Sequence, residues 1–187
     1  MARCSQNGYI YLQHILSCQA AQQWKSSSMN ENVKSKGKCI CGEIRYELMA
    51  SPMFVHCCHC TWCQRETGSA FAINALIETN QIKLVKGNPE IIHAPSSSGT
   101  GQDISRCPSC KIAVWSNYGA AKMAVCFLRV GTLDNPDALP PDIHIFTSTK
   151  QKWVQLDTSV PVMAEYYQRS KYWPESSIVR YKRAIRA

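Results

Sequence analysis

The sequence predicts a mainly β domain with tight turns and a helix near the C-terminus, and three observations carry this. Runs of strand length recur from Gly37 onward, separated by Gly, Pro, Asn and Ser. Cysteines gather in short clusters whose spacing suits knuckle-like turns. The segment with a helical start signal is late, "PVMAEYYQRSKY" (161–172), with Pro161 at its first turn.

In chain order, "KSSSMNENVKSKG" (25–37) is polar and reads as a linker. It sets off residues 1–35 as an N-terminal extension, expected to be poorly ordered, in which Met29 offers an alternative start and Cys4 and Cys18 are free thiols. In "CICGEIRYELMA" (39–50), Ile44, Tyr46 and Leu48 alternate with Glu43, Arg45 and Glu47, the pattern of a half-buried strand. "AFAINALIE" (70–78), "QIKLVKG" (81–87), "EIIHA" (90–94), "IAVWSNY" (112–118), "KMAVCFLRVGTL" (122–133) and "IHIFTS" (143–148) follow as strands. "SSSGTGQD" (96–103) lacks the Lys-Ser/Thr ending of a phosphate loop and reads as a flexible loop. "NPDALPPD" (135–142) carries three prolines and excludes regular helix. The domain proper is expected over 36–158, with the helix and a basic tail over 159–187.

An apolar share of 45% against 18% charged residues marks a globular chain. No run approaches the roughly 18 apolar residues of a membrane span. Gln13 and His14 interrupt the N-terminal apolar pattern, so no secretory core is read there and a cytoplasmic address is expected. The net charge of +8 is spread as +2, +3 and +3 over residues 1–35, 36–154 and 155–187, concentrated only in "RYKRAIRA". Nucleic-acid binding needs a clustered basic face, so that class is not expected.

The eleven cysteines are an odd number without a secretion signal, which argues against a disulfide framework. Seven form three clusters: Cys39-x-Cys41, Cys58-x-Cys60-x-x-Cys63 and Cys107-x-x-Cys110. Side chains at i and i+2 of an extended segment share a face, as do i and i+3 in a knuckle, so each cluster can converge on one ion. Seven ligands do not divide evenly between two tetrahedral zincs. The natural partition joins Cys39, Cys41, Cys107 and Cys110 in a closed clamp and leaves Cys58, Cys60 and Cys63 as a three-thiolate site with an open position. A fourth ligand from His56, Cys57 or His59 would close that site. Cys57 and His59 point to the opposite face of an extended run, whereas His56 shares the face. Cys126, inside "MAVCFL", reads as a buried apolar residue; His93 and His144 read as surface or core residues, and Trp153 as core by default, with the ligand pocket as its alternative place.

With these clusters in place, the sequence resembles the family of glutathione-dependent formaldehyde-activating enzymes and centromere protein V. The resemblance runs from about Gly37 to Asp157, through "GKCICGEIRYE", "CCHCTWCQRETGSAFA", "CPSC", "VGTLDNPDALPPDIHIF" and "KWVQLDTSVP" in order. It implies a β-tent fold of stacked antiparallel sheets, a structural zinc at Cys39, Cys41, Cys107 and Cys110, and a catalytic zinc at Cys58, Cys60 and Cys63. It also implies condensation of glutathione with formaldehyde, classed in reverse as a carbon–sulfur lyase. One departure is Lys111, where the family has Gly after its last cysteine, a place that often needs positive φ.

Three thiolates around one divalent zinc leave a net charge of −1, which makes the centre better suited to binding a thiol than to activating water. The partners expected are a small thiol and a small carbonyl. Arg65 and Lys111 are the cations nearest the knuckles and candidates to steer an anionic thiol such as glutathione, and Gly68 and Ser69 allow close backbone approach. His59 is a candidate proton donor. The contrasting reading is a non-catalytic zinc module that binds protein or nucleic acid through its basic tail.

Overall fold

The alternation around Tyr46 becomes strand β2 (Arg45–Leu48), with Tyr46 and Leu48 buried. In this computed structural model, which describes residues 35–96, 98–121 and 123–186, β2 lies between β1 (Lys36–Lys38) and β5 (Ile82–Lys86) in an antiparallel three-stranded sheet. The extension expected over 1–35, with Cys4, Cys18 and Met29, lies outside the described residues except for Ser35.

A second sheet has seven strands, in the order β10-β3-β4-β9-β8-β7-β6. They are β3 (Phe54–Cys58), β4 (Ala72–Glu78), β6 (Glu90–Ala94), β7 (Gln102–Arg106), β8 (Ala113–Tyr118), β9 (Val125–Arg129) and β10 (Ile143–Ile145). Neighbours are antiparallel except β10 and β3, which run parallel. Parallel pairing needs a crossover, which the proline-rich stretch before β10 supplies. The sheets are therefore not wholly antiparallel.

The larger sheet is the middle of three layers. Val55, Ala75, Ile77, Val114 and Leu128 on one face pack with Tyr46 and Leu48 of the small sheet and with Ile44 just before β2. Phe54, Leu76, Val125 and Ile143 on the other face pack with Tyr167 and Trp173 and with Ile178 and Tyr181 of the C-terminal helix. The period of two thus divides β4 between two cores.

The helix expected over 161–172 forms only as the short α2 (Arg169–Tyr172); the long helix is α3 (Glu175–Arg186), in the stretch read as a basic tail. The backbone over 161–165 is instead spent on β10. His144 N–H bonds Pro161 O at 2.9 Å, Met163 N–H bonds His144 O at 2.9 Å and Phe146 N–H bonds Glu165 O at 3.3 Å. Pro174 stands immediately before α3, Glu175 lies in its first turn and Arg183 and Arg186 in its last, in accord with the helix dipole. Arg180 is committed to the body, with Nε and Nη2 on the Glu78 carboxylate at 2.8 and 2.6 Å.

Candidate metal centre and adjoining cleft

Two knuckles of matching design face one another. In the first, Cys39 N–H bonds Ile44 O at 3.1 Å and Gly42 N–H bonds Cys39 O at 3.0 Å. In the second, Cys107 N–H bonds Ile112 O and Lys111 N–H bonds Cys107 O, both at 3.0 Å. The turn residue is left-handed in each, Gly42 at φ +74° and Lys111 at φ +62°, so the lysine adopts the conformation that glycine ordinarily supplies. Cys39 Sγ lies 3.5 Å from Cys41 Sγ, and Cys41 Sγ lies 3.6 Å from Cys107 Sγ. The four sulfurs, Cys110 included, lie within 4.8 Å of one another. Tetrahedral zinc with bonds of about 2.3 Å sets its sulfurs about 3.8 Å apart, so the donor set fits. Backbone donors at Cys41 and Ile112 pull the Cys110 thiol down to about 6. Lys111 Nζ meets Glu90 Oε1 at 2.9 Å and is occupied there.

The second group is built within six residues. Cys58 ends β3, Cys60 caps helix α1 (Thr61–Thr67), and Cys63 lies buried in its first turn. Cys60 Sγ accepts the Cys63 N–H at 3.3 Å. The three sulfurs lie within 4.8 Å of one another, and among the described residues no fourth Cys, His, Asp or Glu joins them. His56 Nε2 is instead bonded to Tyr167 Oη at 2.6 Å. Hydrogen bonds from Cys58 and Cys63 drive the Cys60 thiol far down, to about 2, and the same contacts push Cys58 up. The cluster therefore sheds a first proton readily and gathers negative charge on a half-buried sulfur, a donor set fitted to a soft cation.

Helix α1 is pinned to the large sheet through Glu66, one turn after Cys63. Its Oε1 receives Arg106 Nη2 at 2.5 Å and its Oε2 receives Arg129 Nη2 at 3.1 Å. Arg129 is itself buried and donates to Ser116 Oγ at 2.9 Å and to Asn74. The helix stops at Gly68, whose φ of +66° and N–H bond to Gln64 O at 2.9 Å form a left-handed cap.

Cys57 and His59 face the opposite way. Cys57 is paired across the sheet with His144, and His59 Nε2 lies 3.4 Å from Cys57 Sγ and 3.0 Å from His144 Nδ1. His59 is thus turned away from Cys58 and Cys60 and is not positioned as their proton donor. His144, read from the sequence as a surface or core residue, is buried and joined to these two. His93 is exposed and bonded to Asp103 Oδ1 at 2.5 Å, and Cys126 is buried beside Asn117 and Thr79.

Beside α1 opens a cleft of about 480 Å³ lined by Thr61, Gln64, Arg65, Gly68, Ser69 and Trp153, among others. Three residues singled out from the sequence, Arg65, Gly68 and Ser69, meet there. Trp153, expected in the core, is 71% exposed on the cleft wall. A hydrogen-bonded chain connects this wall to the cysteine segment: Trp153 Nε1 to Gln151 Oε1 at 2.7 Å, Gln151 Nε2 to Gln64 Oε1 at 3.2 Å, and Gln64 Nε2 to His59 O at 2.7 Å. Sequence reasoning missed both glutamines. The available signal was the place of Gln64 directly after Cys63.

Comparison with known proteins adds three findings. Residues 34–149 match the sequence profile of the family described as glutathione-dependent formaldehyde-activating enzyme. Among solved structures, a protein from Rhodobacter sphaeroides is 20% identical over 68% of this chain and 98% of its own, with a TM-score of 0.44. No curated protein matches the chain.

Proposed function

Since the chain belongs to the glutathione-dependent formaldehyde-activating enzyme family, we propose that it joins glutathione, or a related thiol, to formaldehyde or another small carbonyl, and cleaves the carbon–sulfur bond in reverse. We assign residues 36–158 to the catalytic domain and 159–187 to a C-terminal helical extension, in a reducing, cytoplasmic setting consistent with the free thiols of every described cysteine. Among the described residues, no helix is long and apolar enough to cross a membrane.

The observation that carries this reading is the unequal pair of sulfur groups, one of four and one of three, with the group of three on the helix that borders the cleft. Cys39, Cys41, Cys107 and Cys110 would hold a structural zinc, and Cys58, Cys60 and Cys63 a catalytic one. When bound there, zinc supplies a Lewis-acidic position that lowers the pKa of an incoming thiol. The chain's own residues do the rest. Arg65, among the cleft-lining residues, offers a guanidinium suited to a carboxylate of the thiol substrate. Ser69 and the backbone at Gly68 offer hydrogen-bonding groups on the same wall. Gln64, fixed by His59 O, Thr149 O and Gln151, holds the cleft wall in register with the cysteine segment. The engagement of Arg180 with Glu78 removes one charge of the basic tail from any nucleic-acid role, which favours an enzyme over a binding module.

The test is formation of S-(hydroxymethyl)glutathione from glutathione and formaldehyde by the zinc-loaded protein, with Cys60→Ser alongside. Turnover is expected to fall to the uncatalysed rate in Cys60→Ser while the ion at the four-sulfur clamp stays. Turnover that survives the loss of the second ion would overturn the mechanism. Glutathione at millimolar concentration is also expected to raise the Tm of the zinc-loaded chain, because it binds the native state.

A further inference from the structure

We propose that Cys57, His59 and His144 form a third metal site, for zinc or a comparably soft divalent cation, separate from the seven cysteines of the two sulfur groups. The three side chains are 2%, 0% and 8% exposed. Their donor atoms lie within 4.8 Å of one another, with no acidic residue in the group.

The convergence is a product of sheet register. Cys57 and His144 are direct partners across the parallel β3–β10 pair, so their side chains leave the same face. His59 follows Cys57 by two positions, and its N–H continues the ladder by bonding Ile145 O at 3.0 Å. Its carbonyl is held by Gln64 Nε2 at 2.7 Å and Thr149 Oγ1 at 3.2 Å, and its ring packs on Phe71 with centroids 5.4 Å apart. Along 57–60 the chain therefore alternates, Cys58 and Cys60 to one face and Cys57 and His59 to the other.

A single proton pairs only two of the three donor atoms at a time. His59 Nε2 faces both Cys57 Sγ and His144 Nδ1. If Nε2 carries the hydrogen, it serves one of the two. If it does not, the Cys57 S–H and the His144 N–H compete for a single lone pair. His59 Nδ1 is buried without a partner, so no second bond fixes the tautomer. A cation takes a lone pair from all three atoms at once.

The distances are close to those such an ion needs. With Zn–N near 2.05 Å and Zn–S near 2.3 Å, tetrahedral geometry sets N···N at about 3.4 Å and N···S at about 3.6 Å. The observed 3.0 and 3.4 Å require only a slight opening. One thiolate and two imidazoles is a borderline-to-soft set that suits zinc and excludes calcium and magnesium, which want oxygen. The bound ion would leave a net charge of +1, and the negative charge of Asp157, which acts on His144, is of the sign that offsets it.

The test is to count Zn²⁺ per full-length chain by native mass spectrometry after loading with zinc, for the wild type, Cys57→Ser and His144→Ala. The expected counts are three, two and two. A count that either substitution leaves unchanged overturns the site. Cys57→Ser is nearly isosteric, so it carries the test if His144→Ala does not fold, and circular dichroism identifies that case. Loading with Co²⁺ reads the ligands directly. Cys57→Ser is expected to remove charge-transfer absorption equal to one thiolate–cobalt bond, and an unchanged spectrum rejects Cys57 as a ligand. Neither readout depends on turnover, so loss of the proposed activity would leave this inference standing, and the reverse holds too.

Discussion

The two sulfur groups use the same chemistry at opposite extremes of contact range. The four-sulfur clamp joins a turn of the small sheet to the turn between β7 and β8 of the large one, with Cys41 and Cys107 66 positions apart. The three-sulfur group is complete within Cys58 to Cys63, on a strand end, a helix cap and a first turn. A long-range clamp constrains the unfolded chain and holds two layers together; a local group adds little to either. What the local group gains is position, on the helix that borders the cleft. Under the proposed function, difference in contact range, more than in ligand type, would divide architecture from chemistry.

The largest expected effect follows from breaking that contrast. Structural zinc contributes about 10–16 kcal/mol in small zinc domains, comparable with the whole stability of a domain at about 5–15 kcal/mol. Cys107→Ser is therefore expected to leave the chain largely unfolded at 25 °C by circular dichroism. Cys60→Ser is expected to cost about 1 kcal/mol, a Tm shift of about 2–4 °C, while turnover is lost. Equal thermal losses in the two variants would erase the division drawn above.

Next in size is the tie between the local group and the sheet. Glu66 sits between Arg106 and Arg129, and the Arg129–Glu66 side chains are each 10% exposed. Removing one partner of a buried ion pair strands the other's charge, at about 3–5 kcal/mol. Glu66→Gln is expected to lower stability by about 3 kcal/mol in urea unfolding, and to loosen zinc at Cys63, one helical turn away, more than at the clamp. Uniform weakening of both ions would show that Glu66 serves the fold as a whole.

A smaller, purely kinetic effect is expected in the cleft. Arg65 is exposed, and among the described residues it is the one charged side chain of the lining. A charge-assisted hydrogen bond to a carboxylate is worth about 1.5–3 kcal/mol, so Arg65→Ala should raise the KM for glutathione about tenfold or more with kcat little changed. The same KM for glutathione and for an uncharged thiol in the wild type would remove Arg65 from substrate binding.

Much of this was legible from the chain because the signals were local. The period of two located β2, strand-length runs between turn residues located β4, β5, β6, β8, β9 and β10, and cysteine spacing outlined both sulfur groups. β3 escaped because its run, FVHCC, passes straight into the cysteine cluster with no turn residue to end it. β7 began inside a stretch rich in serine and glycine. The helix expected at 161–172 failed for a tertiary reason, since pairing with β10 claimed the backbone of 161–165. Trp153 was placed in the core as the default for an aromatic residue, and the folded chain puts it in its alternative place, on the cleft wall. The Cys57–His59–His144 group depends on a register between strands some 87 residues apart, which no local pattern encodes.

The smallest expected effect compares the two knuckles of the clamp. Each needs a left-handed residue after its cysteines, and one has Gly42 while the other has Lys111. A side chain in that conformation costs about 1–2 kcal/mol. Glycine returns about 0.4–1 kcal/mol of this through the freedom it gives the unfolded chain. The exposed Lys111–Glu90 pair, lost on substitution, is worth a few tenths of a kcal/mol. Lys111→Gly should thus stabilise the protein by about 0.5 kcal/mol, whereas Gly42→Ala should destabilise it by about 1 kcal/mol. The added Cβ at Gly42 meets nothing nearer than Arg45 Nη2 at 3.4 Å, so its cost is conformational alone. Opposite signs in paired urea titrations are the expected outcome. A destabilised Lys111→Gly would mean that the lysine side chain's contact, Nζ on Glu90, outweighs its backbone strain.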